Sequence, residues 1–430
     1  MKFQGPKGTR DFYPQEMAWR NFLHDAWRRV SVRNGFEEID GPIFESLDLY
    51  KVKSGDGIVN ELFHFMDRGE RELAIRPEFT PTLARMVADK ANSLSKPIKW
   101  FCTPNLCRAE RPQRGRLREF FQWNADIIGT DPSQEALADV ECIFVLIDLM
   151  RELGLESSHV KVKISHRVKV RHILAKLGVS DDHMLGAFEL LDRRDKMAQE
   201  DFIKAASKLN LDEDTVTRFD QICRMKYSVG NLSKVTEALG GDVDLSGLEA
   251  IDRYLQEFGI ADWCEYDLGI VRGLAYYTGA VFEVHETTGV MRAMAGGGRY
   301  DKLVESFGGP STTAVGFGMG DVVLADVLDD KGLLPADVAP RPDVFVIGMT
   351  DLAQQKLPGV VSQLRSAGLH SRFSYRSTRN VGKLLKEAEK ASSRFALILD
   401  DQLENGIGSL KDLASGDQTE IKIEKIADHV

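Results

Sequence analysis

Five arginines lie within the eleven residues RAERPQRGRLR, which begin at Arg108, and the alternating run EFFQWNADII follows them directly. The net charge of the whole chain is -10, so this stretch concentrates positive charge in an acidic protein. Like charges repel one another unless an anion lies between them. Because a guanidinium group is a planar, permanently charged fork that matches phosphate oxygens, the stretch predicts a site for a phosphorylated ligand.

A second arginine that could contact a phosphate is Arg272, in the stretch GIVRGLAYYTG. Together with Arg108 it would clamp a reacting phosphoryl group between two fixed positive charges. The alternative for any single arginine is an ion pair on the surface, with Glu110 or Asp267 as the neighbouring carboxylate. That alternative explains five clustered arginines poorly, because they repel one another without an anion.

The run EFFQWNADII predicts a strand with one polar and one apolar face. Side chains alternate along a strand, so Phe120, Gln122 and Asp126 share a face. A half-exposed sheet has the same alternation, but a solvent-facing surface does not usually include a phenylalanine. We therefore interpret this face as the floor of a site for a small polar ligand. Glu78 and Thr80, in RPEFTPT, are expected on a neighbouring strand.

The elements that must position these residues alternate between sheet-forming and helical parts of the 430-residue chain. PIKWFCTPNLCRAE and REFFQWNADIIG predict two strands that flank the arginine-rich loop as an antiparallel hairpin. Residues 1–166 and 261–331 are sheet-forming, whereas 167–260 is mainly helical. Prolines mark a linker at 332–342, and 343–430 alternates strand with helix, which is typical of a small α/β domain.

Two further patterns are local. The apolar residues of PQEMAWRNFLHDAWRRVSVRNG recur at helical spacing, with a proline in the first turn and a glycine after the end. The glycine-rich stretches AGGGRYDKL and AVGFGMGDVV do not follow the phosphate-loop or dinucleotide patterns, so tight packing of strands would explain them on its own.

Several classes of protein do not fit the sequence. No apolar run approaches the roughly 18 residues of a membrane-spanning helix. The N-terminal MKFQGPKGTRDFYP lacks the apolar core of a secretory signal, so we expect a cytoplasmic protein with no membrane partner. The five cysteines form no C-x-x-C pair and have no histidines at zinc-binding spacing, so we expect no metal ligands among the side chains.

Taken in order, these segments resemble the histidyl-tRNA synthetases, which are class II aminoacyl-tRNA synthetases, over essentially the whole chain. NGFEEIDGPIFE is similar to the family's first motif and FCTPNLCRAERPQRGRLREFFQ to its second, while RGLAYYTG and AGGGRYDKL are similar to its histidine-specific stretches. The resemblance implies an α+β catalytic domain with a mixed, mainly antiparallel sheet, a helical insertion and a small α/β anticodon-binding domain. It also implies a homodimer.

The resemblance further implies a role for individual residues. Arg108 and Arg272 would hold the α-phosphate of ATP while the carboxylate of histidine attacks it, with Mg²⁺ bridging the phosphates. The ATP-binding residues would be Arg108, Glu110, Arg116, Phe120 and Arg272. Histidine would be bound by Glu78, Thr80, Gln122, Asp126, Tyr276 and Tyr277. The acceptor end of histidine tRNA would contact Arg111, Gln113 and Arg114.

The sequence departs from the family pattern at two positions. Val323 stands where the third motif has an arginine that contacts the nucleotide, and Ala275 stands where the pattern R-G-L-D-Y-Y has an aspartate. Either another cation, such as Arg299, covers the nucleotide, or activity is lost.

The leading hypothesis is an ATP-dependent enzyme that activates L-histidine and transfers it to histidine tRNA. One alternative is a synthetase-like regulatory subunit that binds histidine and has no ligase activity. Such subunits generally lack the C-terminal domain, so residues 343–430 favour the enzyme. Another alternative is an RNA-binding protein without enzymatic activity, but it leaves the polar strand face and Tyr277 unexplained.

Overall fold

The computed structural model of the chain describes residues 3–54, 56–194, 197–209, 213–238, 244–270 and 276–430. The chain divides into two compact units, Met1–Ala336 and Asp337–Val430. In the described residues the first unit has two sheets and the second unit has one. In the described part of the chain, no helix combines the length and the apolar composition needed to cross a membrane.

The first unit combines strands and helices throughout its length. Its strands are β1 (Glu37–Glu38), β2 (Phe44–Ser46), β3 (His64–Met66), β4 (Glu72–Ile75), β5 (Ile98–Cys102), β6 (Asn105–Cys107), β7 (Glu119–Ile128), β8 (Val160–His166), β9 (Lys226–Ser228), β10 (Cys264–Asp267), β11 (Ala280–Glu286), β12 (Ala295–Arg299) and β13 (Ala314–Gly320). Its helices are α1 (Pro14–Arg33), α2 (Leu47–Ser54), α3 (Thr80–Asp89), α4 (Glu135–Glu152), α5 (Arg167–Lys176), α6 (Asp181–Arg193), α7 (Gln199–Ala206), α8 (Glu213–Arg224), α9 (Leu232–Ala238), α10 (Ser246–Glu257), α11 (Leu303–Ser306) and α12 (Asp321–Asp330).

The large sheet has the strand order β1-β5-β7-β13-β12-β11-β8-β10-β9, and β6 pairs with β7. Among the described strands of this sheet, β1 with β5 and β8 with β10 are the parallel pairs, and the other pairs are antiparallel. The predicted mixed, mainly antiparallel sheet is therefore confirmed. A smaller sheet has the order β2-β4-β3.

Different helices cover the two faces of the large sheet. On one face, α1 and α4 pack against β7, and the rings of Trp27 and Trp123 stack with 6.4 Å between their centroids. On the other face lies a second apolar cluster that includes Leu83 and Val87 of α3 together with Tyr277 and Tyr300. The site residues of β7 lie on this second face.

The region between β8 and β10 contains helices α5 to α10, as the sequence indicates. The structure adds the short strand β9, which pairs antiparallel with β10 at the edge of the large sheet. The boundary between the catalytic part and the helical part of the chain remains a prediction.

The stretch RPEFTPT is not a strand, contrary to the expectation for Glu78 and Thr80. Strand β4 ends at Ile75, and Thr80 is the first residue of helix α3. Pro77 has no N–H to donate to a neighbouring strand, and Pro81 suits the first turn of a helix. The two prolines thus turn the chain from sheet to helix at this point.

The second unit alternates strand and helix before it ends in a hairpin. Its strands are β14 (Val344–Gly348), β15 (Ser371–Phe373), β16 (Phe395–Leu399), β17 (Ile407–Asp412) and β18 (Gln418–Lys422), and its helices are α13 (Asp351–Ser366) and α14 (Val381–Lys390). The sheet order is β15-β14-β16-β17-β18. Strand β14 pairs in parallel with β15 and β16, as the α/β pattern predicts, whereas β17 and β18 continue the sheet antiparallel.

Candidate active site

Strand β7 forms the floor of the candidate site. Trp123, Ala125 and Ile127 point into the core and are at most 2% exposed, so the alternate residues Phe120, Gln122 and Asp126 point to the other face. Since a strand rises about 3.4 Å per residue, Phe120 and Asp126 stand roughly 20 Å apart along this face. The alternation predicted from the sequence is present in the fold.

The glycines of β12 and β13 leave room for side chains of the site. A Cβ atom on Gly316 would lie 1.9 Å from Oδ1 of Asp126, and one on Gly318 would lie 2.8 Å from Cδ of Gln122. On Gly298 it would lie 2.9 Å from the ring of Tyr277. These glycines therefore do more than pack strands together, because each leaves space that a residue of the site occupies.

Replacing Gly316 by alanine is expected to destabilise the fold by about 1–3 kcal/mol, because the new methyl group overlaps Asp126 and must displace it. The displaced carboxylate should also lower kcat/KM for the amino acid substrate, on the order of tenfold. Thermal unfolding and substrate-dependent turnover measure the two effects. The matched control is Gly320→Ala at the end of the same strand, where a Cβ would meet nothing within 4 Å. Equal effects of the two substitutions would contradict this explanation.

Asp126 forms the polar end of the site. Its side chain is buried, with the residue 6% exposed, and it accepts a hydrogen bond of 2.5 Å from the hydroxyl group of Tyr300. Burial raises the pKa of Tyr300 well above its usual value, and the neighbouring Asp126 raises it further, so the phenol stays protonated and donates. A buried carboxylate beside a phenol can bind the N–H groups of a small polar ring.

Aromatic rings enclose this polar end. The rings of Tyr276 and Tyr277 lie 4.7 Å apart, and Tyr276 meets Tyr300 edge-on at 6.2 Å. Tyr276 and Tyr277 are predicted from the sequence as site residues, whereas Tyr300 is not. The available signal was its position directly after the glycine run AGGGR, which ends β12 beside the floor of the site.

Arg108 and Phe120 form the cationic end of the site. Arg108 follows β6, and its Nε donates a 3.0 Å hydrogen bond to the carbonyl oxygen of Pro77, the residue before Glu78. Its guanidinium carbon lies 5.0 Å from the centre of the Phe120 ring, a cation–π contact. The structure thus brings the RPEFTPT stretch, the second strand of the hairpin and the first arginine of the loop together.

The arginines of the hairpin loop divide into two groups. Arg116 is half-buried and forms an ion pair with Glu110. Arg111, Gln113 and Arg114 are exposed at the tip. The tip turns at Gly115, whose φ of +70° favours glycine, and the guanidinium of Arg114 lies 3.7 Å from the carboxylate of Asp330. Arg116 is therefore held by Glu110, whereas Arg111 and Arg114 are exposed at the tip.

The expectation that Arg299 replaces the absent arginine of the third motif is wrong. Arg299 is 3% exposed and forms ion pairs of 2.7 Å with Asp139 of α4 and 3.0 Å with Asp301. In the sheet register it lies opposite Val315, whose side chain points away from the face that carries Asp126. Its charge is already neutralised on the far side of the sheet.

Two of the positions singled out in the sequence, Arg272 and Ala275, lie outside the described residues. Val323 is described: it is 7% exposed in α12, and its Cγ2 lies 3.3 Å from the position that a Cβ on Gly115 would take. The side chain at the third-motif position therefore packs directly beneath the hairpin tip.

Comparison with known proteins adds independent evidence. The family model described as histidyl-tRNA synthetase matches residues 8–320, and the model described as anticodon binding domain matches residues 343–430. The histidine–tRNA ligase of Opitutus terrae is 38% identical over 99% of this chain and 97% of its own length. That of Pyrococcus abyssi is 36% identical over 99% of this chain and 97% of its own length.

A solved structure agrees with these relatives. The crystal structure of histidyl-tRNA synthetase from a Nostoc species has a TM-score of 0.83 and 25% identity, covering 100% of this chain and 99% of that one. This structural similarity, the family model and the two relatives all identify the same family. The chain belongs to the histidyl-tRNA synthetase family.

Proposed function

We propose that the protein activates L-histidine with ATP to form histidyl adenylate and then transfers the histidyl group to the 3′ end of histidine tRNA. One observation carries the proposal: a single face of β7 has a buried carboxylate–phenol pair at one end and an arginine against a phenylalanine at the other. The distance between the two ends, roughly 20 Å along the strand, suits an amino acid joined to a nucleotide.

Histidine would lie at the Asp126 end of the floor. The carboxylate of Asp126 would accept a hydrogen bond from an imidazole N–H, and the tyrosines around it would enclose the ring. The amino group would be bound by Glu78, Thr80 and Gln122, because an ammonium group needs acceptors. This arrangement leaves the histidine carboxylate pointing toward Arg108.

ATP would lie at the other end, with its adenine against Phe120 and its α-phosphate against Arg108. A carboxylate oxygen of histidine forms a bond to the α-phosphorus, and the bond from that phosphorus to pyrophosphate breaks, so pyrophosphate leaves with the electron pair. Arg108 and Arg272 would stabilise the negative charge that develops in the transition state. Glu110 and its partner Arg116 would lie beside the nucleotide.

Mg²⁺ would accompany the phosphates. Among the described residues, no group of three or more histidine, cysteine, aspartate or glutamate side chains could hold a metal ion. Magnesium commonly takes one or two carboxylates and completes its shell with phosphate oxygens and water. Glu110 and Glu283 are carboxylates that act electrostatically on Arg292, near the cationic end, so these residues fit an ion that arrives with ATP. When bound, it would neutralise charge on the phosphates.

Transfer to tRNA would use the exposed tip of the hairpin and the C-terminal domain. Arg111, Gln113 and Arg114 would contact the acceptor end, where a ribose hydroxyl attacks the histidyl carbonyl carbon and AMP leaves. Residues 343–430 match a domain described as anticodon-binding, so they would contact the other end of the tRNA. Because these contacts include phosphates, binding should weaken with salt. We propose the cytoplasm as the location of this reaction.

A homodimer is supported by an exposed apolar surface on the small sheet and helix α2. Ile43, Phe44, Phe65, Met66 and Val52 form it, each between 43% and 60% exposed. The rings of Phe44 and Phe65 are in contact, with centroids 6.3 Å apart. Contiguous apolar surface of this kind marks an interaction site in soluble proteins.

Replacing Met66 by glutamate is therefore expected to convert the dimer to a monomer at micromolar concentration, because the new charge would lose its hydration in the interface. Sedimentation equilibrium measures the mass. The control is Leu185→Glu on α6, since Leu185 and Met66 are both 60% exposed. A dimer that persists in the Met66 variant would mean that the interface lies elsewhere.

The proposed reaction is tested by histidine-dependent exchange of pyrophosphate into ATP, with the other amino acids as controls, followed by charging of histidine tRNA. A regulatory subunit would bind histidine without exchange, and a simple RNA-binding protein would show no dependence on histidine. The regulatory alternative is not favoured, because the full-length curated relatives are histidine–tRNA ligases.

A further inference from the structure

Arg292 lies at the cationic end of the site, although no motif of the sequence pointed to it. It precedes β12 and is exposed. Its Cδ is 3.9 Å from the position that a Cβ on Gly115 would take, and Cγ2 of Val323 is 3.3 Å from the same point. The stem of Arg292 and the side chain of Val323 therefore lie side by side under the hairpin tip.

Two arginines and two carboxylates act electrostatically on Arg292. Partial burial lowers its pKa, and the positive charges of Arg116 and Arg108 lower it further, while Glu110 and Glu283 act in the opposite direction. Within the part of the chain that the structure describes, Arg292 has no hydrogen bond and no ion pair within 4 Å. Arg116 is paired with Glu110. The other two arginines, Arg108 and Arg292, repel each other unless an anion lies between them.

We propose that Arg292 binds the triphosphate of ATP and supplies the positive charge that Val323 does not. This inference rests on the proposed function, since ATP is the polyanion that the reaction brings to Arg108. The position of Arg292 favours ATP over tRNA. Its charged neighbour Arg108 lies at the base of the hairpin against Phe120, whereas the tip residue Arg114 points to Asp330.

The test is Arg292→Ala in the full-length protein, assayed by histidine-dependent pyrophosphate exchange over a range of ATP and histidine concentrations. Loss of a charge-assisted contact to phosphate should raise KM for ATP on the order of 10- to 100-fold. KM for histidine should change less than about twofold, because the Asp126 end of the floor is remote. Inhibition by adenosine, which has no phosphate, should be unchanged.

Two further variants separate a charge effect from a structural one. Arg292→Lys keeps the positive charge and should recover much of the ATP affinity, without the bidentate geometry of arginine. Arg253→Ala is the matched control, because Arg253 is 61% exposed on α10 and lies outside the site. It should leave both KM values unchanged. Adding Val323→Arg to the Arg292→Ala protein should lower KM for ATP again, since both side chains lie within 4 Å of the same point at Gly115.

Several results would overturn the inference. An Arg292→Ala protein with unchanged KM for ATP would exclude contact with the triphosphate. A selective rise in KM for tRNA, with normal exchange, would place Arg292 on the tRNA instead. Equal losses for ATP, histidine and adenosine would indicate a structural role. Absence of histidine-dependent exchange in the unmodified protein would refute the proposed function itself and is distinct from all three.

Discussion

Alanine at position 108 is expected to slow histidine-dependent pyrophosphate exchange on the order of 10²- to 10³-fold, the typical cost of removing one preorganised donor from a developing negative charge. Arg108 is held from two sides, by the carbonyl oxygen of Pro77 and by the ring of Phe120. Its guanidinium is therefore oriented before the substrate binds, which is the condition for a large effect on kcat.

The rate should fall in kcat more than in KM for ATP, because the charge on the α-phosphate grows as the reaction proceeds. Single-turnover formation of histidyl adenylate measures this step directly. Arg253→Ala serves again as the control for loss of an exposed arginine. Near-normal adenylate formation by the Arg108→Ala protein would remove this residue from the chemistry.

Asp126→Asn is expected to lower kcat/KM for histidine on the order of 10²- to 10³-fold, with a much smaller effect on KM for ATP. The Asp126 carboxylate is buried and accepts a hydrogen bond from the hydroxyl group of Tyr300. The side-chain amide of asparagine would place an N–H group where the substrate N–H requires an acceptor. A site built to bind a substrate N–H discriminates strongly, since its own polar group is left unpaired when the partner is wrong.

Steady-state exchange at varied histidine and varied ATP separates the two effects. Tyr300→Phe removes the phenol and leaves the carboxylate, so it should cause a smaller loss for histidine than Asp126→Asn does. Because both residues are buried, circular dichroism and thermal unfolding must show that each variant is folded. Parallel losses for histidine and ATP in a folded Asp126→Asn protein would contradict the assignment of Asp126 to the imidazole.

The experiments on Arg108, Asp126 and Arg292 together test whether the two ends of the site serve different substrates. Histidine selectivity is assigned to the end of β7 at Asp126, and phosphate binding is assigned to the end at Phe120. Asp126→Asn should therefore affect histidine and Arg292→Ala should affect ATP, each sparing the other substrate, whereas Arg108→Ala should lower kcat itself. Equal effects on both substrates in the Asp126 or Arg292 variant would show that the two ends are not independent.

Much of the local structure followed from the sequence alone. Helix α1 was predicted from its apolar spacing, and its proline and following glycine mark its ends. The alternation along β7 predicted which face would be polar, and the hairpin of β5, β6 and β7 was predicted from two strand patterns around a polar loop. These features depend on residues that are neighbours in the chain, so the backbone period determines them.

The tertiary structure decided which distant residues meet. Tyr300 donates a hydrogen bond to Asp126, which lies 174 positions away in the sequence. Arg299 is neutralised by Asp139 and does not face the nucleotide. Arg292 packs against the hairpin near Val323. Each of these pairings depends on strand order and register. The sequence by itself therefore determined the types of residue and the face that carries them. Only the packed sheet decided their partners, since hydrogen bonds and charges act over a few ångströms in space, whatever the separation along the chain.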